Sequence, residues 1–69
     1  MIRNNDELEA TKERIRYFQD QVQRLRLVET NPHNYRSSAG GYLAEIDRMN
    51  LRVREYLSVH PSEMKDQAA

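Results

Sequence analysis

Cysteine is missing from all 69 residues, which excludes disulfide bridges and thiolate–metal sites as sources of stability. Glycine and proline occur only twice each and β-branched residues are few, while Glu, Arg, Gln and Leu are plentiful. That balance favours helix. Neither charge is in excess, since eleven Lys and Arg offset eleven Asp and Glu. A surface dedicated to nucleic-acid phosphates needs a cationic surplus, so the balance argues against that class of function. No apolar run approaches the length of a membrane span. The opening Met1-Ile2-Arg3-Asn4-Asn5-Asp6 also lacks the apolar stretch of a secretory signal. The expectation is a single small cytoplasmic domain.

What the chain does have is helical periodicity. Leu8, Ile15, Phe18, Val22 and Leu25 recur at steps of seven, three, four and three, with Thr11 in the gap. This is the pattern of a helix packed along one seam. Asn4 or Asn5 can cap its start, and Asp6, Glu7 and Glu9 sit beside the positive end of its dipole. Glu9 to Lys12, Glu13 to Arg16 and Asp20 to Arg24 have spacings that suit ion pairs on the outer face. The first helix is therefore expected at about 5–29.

Thr30-Asn31-Pro32-His33-Asn34-Tyr35 interrupts the pattern, because the residue before a proline avoids helical angles. Ser37 or Ser38 can cap a second helix, expected at about 38–60 and stopped by Pro61. Gly40 and Gly41 would then fall in its first turn, either weakening it or admitting a close neighbour. Three heptad stripes run along this helix: Leu43, Asn50 and Leu57; Ile46, Val53 and His60; Tyr42, Met49 and Tyr56. Two stripes suffice for a two-helix seam, so a third widens the face enough to touch another molecule.

The fold expected is thus an all-α, antiparallel two-helix hairpin over residues 1–61 with a polar tail at 62–69. A hairpin this small has little core, and without disulfides or a metal the usual remedy is oligomerisation. A homodimer forming a four-helix bundle is the simplest solution. Tyr42, Leu43, Ile46, Met49, Asn50, Val53, Tyr56 and Leu57 make the expected interface face. Leu43, Ile46, Val53 and Leu57 are expected to join Leu8, Ile15, Phe18, Val22 and Leu25 in the core, whereas Tyr42, Met49 and Tyr56 would stay wet in a lone hairpin. A buried Asn50 could pair with its symmetry mate and fix register; equally, Asn50 could edge toward solvent while Met49 takes the core, as the heptad drift of a straight helix permits.

Catalytic patterns are lacking. There is no Gly-rich phosphate loop, no nucleophile with a base beside it, and no His–carboxylate pair at metal spacing. His33 reads as a solvated loop residue and His60 as a cation at a helix C-terminus. Glu45 and Asp47 point apart, and Glu9 and Glu13 have no second carboxylate helix to meet. No enzyme activity, cofactor, metal or small-molecule substrate is expected. Arg48, Arg52 and Arg54 are the candidate contacts for an anion or nucleic acid, Arg48 and Arg52 standing one turn apart without an acid between them.

The Met1-Ile2-Arg3-Asn4 start, the first helix from Ile15 to Leu25, and the runs Leu43-Ala44-Glu45-Ile46 and Arg54-Glu55-Tyr56-Leu57 together carry a resemblance. From Met1 to Leu57 the chain resembles the helical N-terminal region of HigA-type antitoxins, bacterial regulators of the XRE-like kind. In that family the region precedes a helix-turn-helix domain. None follows in this sequence, so the resemblance implies a bacterial pairing or partner-binding module without DNA binding, and no base-contacting residue carries over.

Overall fold

A computed structural model describes residues 1–63. It contains helix α1, Asn5–Val28, and helix α2, Pro32–Leu57, packed against each other as a hairpin, with no strand among the described residues.

Local chemistry sets each boundary. Asn4 has extended backbone angles and accepts the Glu7 N–H at 2.8 Å. Glu7 in turn accepts the Arg3 N–H at 2.7 Å, so two N–H groups at the helix entrance find side-chain partners. Asp6 and Glu7 add negative charge to the first turn. Ahead of this cap, Ile2 is buried. At the far end the Glu29 N–H closes the last turn on the Leu25 carbonyl at 2.9 Å.

The second helix starts six residues earlier than its serines suggest, leaving a joint of only Glu29–Asn31. The Asn31-Pro32 pair begins the helix. Proline disfavours helical angles at Asn31, and extended angles are what an N-cap needs. Asn31 Oδ1 accepts the N–H groups of His33 at 2.8 Å and Asn34 at 3.3 Å. Pro32 at the first helical position loses nothing, because an N–H there has no intrahelical acceptor. Ser37 and Ser38 are therefore ordinary helical residues. Gly40 and Gly41 lie well inside α2, and a Cβ on either would meet no atom within 4 Å. The close-neighbour reading of these glycines finds no support within the hairpin.

α2 ends at Leu57 with Ser58 as its C-cap, short of the expected 60. His60 is not a terminal cation of α2. Its Nδ1 accepts the Ser62 N–H at 3.1 Å, and its carbonyl accepts the Glu63 N–H at 2.9 Å. It thus caps a new helical turn that begins at Pro61, as Asn31 does before Pro32. Most of the expected tail, residues 64–69, lies outside the described residues.

Where the helices meet, each supplies six residues at the same spacing. Leu8, Thr11, Ile15, Phe18, Val22 and Leu25 come from α1; Ala39, Tyr42, Ile46, Met49, Val53 and Tyr56 come from α2. All are buried or half-buried. Ile15, Ile46 and Met49 form the centre, with Phe18, Val22 and Val53 against them. Tyr42 meets the Phe18 ring edge-on, 5.5 Å between centroids.

This register corrects the expected division of α2. Met49 is 2% exposed and Tyr42 and Tyr56 are half-buried, so this stripe closes the hairpin itself. Leu43 and Leu57, expected in the core, are 46% and 64% exposed, and Asn50 is exposed with them. The choice between adjacent stripes is a rotation of about 100°, one residue's worth. Turning Tyr, Met and Tyr inward buries more apolar area than Leu, Asn and Leu would. It also spares the cost of burying an Asn50 carboxamide without a partner. Tyr56 keeps its hydroxyl satisfied at the open end by donating to Asn5 Oδ1 at 2.9 Å.

Met49→Ala should cost about 2–5 kcal/mol, whereas Leu51→Ala on the exposed side should cost less than about 1 kcal/mol. Urea unfolding followed by circular dichroism at one protein concentration checks the contrast, and equal costs would contradict the register. Asn31→Ala should remove about 1 kcal/mol through loss of the cap, seen as a lower melting temperature in the same assay.

Candidate protein-interaction surface

Closing the seam decides which apolar side chains remain outside it. Met1, Tyr17, Leu27, Val28 and Leu51 are exposed at scattered positions. Leu43 and Leu57, by contrast, belong to one stripe with Asn50 between them, and it runs along most of α2. Residues seven apart on a straight helix differ by only about 20° in direction, so the three form a continuous row. Asp47 and Arg54, also exposed and also seven apart, flank that row on one edge.

Of the residues expected at an oligomer interface, Ile46 and Met49 are enclosed within the hairpin, and Tyr42, Val53 and Tyr56 are partly covered by it. Leu43, Asn50 and Leu57 are the members that face outward. Their exposure was hidden in the sequence because three equivalent stripes compete for one seam. The polar Asn50 was the available signal, since a lone carboxamide suits the outside of a thin hairpin. Ala39, the most enclosed residue at 1% exposure, leaves little trace in the sequence because alanine contributes little to an apolar pattern.

The arginines do not gather. Arg48 is held by Glu45 in an ion pair one turn away, so it is not a free cation beside Arg52. Arg52 and Arg54, two residues apart, point about 200° from each other around α2. No single face carries all three. Elsewhere Glu9 and Lys12 pair at 3.2 Å as their spacing predicts, while Glu13–Arg16 and Asp20–Arg24 form no ion pair. All these groups are exposed, where such pairs contribute little.

A shallow groove near the closed end of the hairpin is lined by Gln21, Arg24, Leu25, Val28, Ser38 and Tyr42. It is open to solvent and brings together no acid–base or nucleophile–base pair. Among the described residues no three of His, Asp or Glu stand close enough to hold a metal ion. His33 is exposed on the first turn of α2, its backbone N–H engaged by Asn31. No helix among the described residues is long and apolar enough to cross a membrane. The outward stripe of α2 is therefore the surface with the most to offer a partner. No protein family, curated protein or solved structure was found to match the chain.

Proposed function

We propose that this chain is a non-enzymatic helical oligomerisation module, in which two closed hairpins pair through the outward stripe of α2 to build a four-helix bundle. The observation that carries this reading is the Leu43–Asn50–Leu57 row, two exposed leucines on either side of a carboxamide, left outside after the hairpin has closed its own seam. The shape supports it. The radius of gyration is 15.8 Å, against roughly 11 Å for a compact domain of this length. The Cα envelope measures 52 × 16 × 14 Å, a single pair of helices with no second layer among the described residues. Accessible surface is 5839 Å², against about 4,500 Å² for a compact monomer of 8.2 kDa. That excess, about 1,300 Å², is larger than the roughly 800 Å² that one side of a standard-size interface covers.

A pairing module is also what the resemblance to the helical region of HigA-type antitoxins implies, with a cytoplasmic, bacterial setting. An arginine-based nucleic-acid role has less behind it, because Glu45 occupies Arg48 and the other two arginines face apart.

In sedimentation at micromolar concentration the chain should run as a dimer. Leu43→Glu with Leu57→Glu should yield monomers that keep helical circular dichroism, since both positions lie outside the seam. A cooperatively folded wild-type monomer at tens of micromolar would refute the proposal.

A further inference from the structure

The outward row has a symmetry of its own. Leu43 and Leu57 stand seven residues on either side of Asn50, about 10 Å along the axis in each direction. Asp47 and Arg54 lie on one flank of that row, on opposite sides of Asn50 along the helix. Both are exposed, and neither joins an ion pair among the described residues. A rise of about 10 Å between them is too long for a bond within the helix. Opposite charges on one flank, balanced about a central carboxamide between two leucines, make a surface complementary to its own reverse.

We infer that α2 docks antiparallel on α2 of a second copy, with the twofold axis passing beside Asn50. The inference rests on the self-association proposed above and adds the geometry of the contact. In this arrangement Leu43 packs on Leu57 of the second copy and Leu57 on its Leu43. Asn50 meets its own counterpart. A carboxamide both donates and accepts, so two of them facing across a twofold axis form reciprocal hydrogen bonds. Asp47 comes opposite Arg54 of the second copy, and the symmetry repeats the pair. Antiparallel helices bring like flanks together, which is why one acid and one base on the same edge suffice for two ion pairs. Parallel docking would bring opposite flanks together, placing Asp47 and Arg54 on the far side of the contact from their counterparts and leaving neither with an ion-pair partner across it.

Because the chain has no cysteine of its own, engineered thiols report the contact without background. Under mild oxidation, a mixture of the L43C and L57C full-length variants should form disulfide-linked dimers, while L43C alone should not. Crosslinking of L43C with itself would overturn the antiparallel docking and leave self-association standing. A monomeric wild-type chain in sedimentation would overturn both. Separately, Asp47→Arg or Arg54→Asp alone should weaken the dimer about tenfold at low salt, and the D47R/R54D double variant should recover it. Unchanged dimer affinity in both single variants would remove the ion pairs from the contact and overturn this docking.

Discussion

Burial of one stripe per helix is the constraint on which this molecule depends. α1 and α2 repeat the same alternation of three and four residues through six seam positions, so the two rows match in length as well as in chemistry. Ile15, Ile46 and Met49 are enclosed because the α1 row of Leu8, Ile15, Phe18, Val22 and Leu25 faces the α2 row of Tyr42, Ile46, Met49, Val53 and Tyr56. Once Met49 is turned inward, helical geometry fixes the direction of every other α2 residue. The outward position of Leu43, Asn50 and Leu57 is a consequence of that single rotational choice.

The polar residues do a different job: they define where the seam begins and stops. Asn4 with Glu7, Asn31 before Pro32, and His60 before Pro61 each satisfy N–H groups that a helix start leaves without partners. Tyr56 and Asn5 join the open end through a bond between residues 51 apart in sequence. The outer face is thus carried on a capped helix even though the core is small, and a side chain already carried on a helix loses less freedom on association than one on a loop.

Much of the fold was legible from periodicity. The existence of two helices, the extent of α1 and the Glu9–Lys12 pair follow from spacing alone, and the structure agrees. The start of α2 was misjudged because proline carries two opposite messages. It ends a helix that precedes it and suits the first position of one that follows; Asn31 as an extended capping residue tips the balance toward the second. The division of α2 into seam and outer row was misjudged for another reason. Leu43, Met49 and their neighbours repeat at seven whichever stripe is chosen, so the pattern alone fixes the period and leaves the phase open. The phase depends on the relative bulk of Tyr42, Met49 and Tyr56 against α1, which appears only when both helices are placed side by side. Arg48 looked unengaged because the acid that holds it, Glu45, sits three residues before it, off the four-residue row it shares with Arg52.

The joint between the helices also governs how copies of the chain could exchange parts. Hairpins with short connections are prone to domain swapping, in which the joint straightens and the two arms fuse into one long helix that trades an arm with a neighbour. Here Pro32 stands at the point of fusion. Its ring would collide with the carbonyl of Val28 in a continuous helix, and it has no N–H to offer that carbonyl. Asn31 resists the helical angles that straightening requires. Fusing the two helices across this joint would therefore cost about 3 kcal/mol or more per chain, which disfavours swapping by this route.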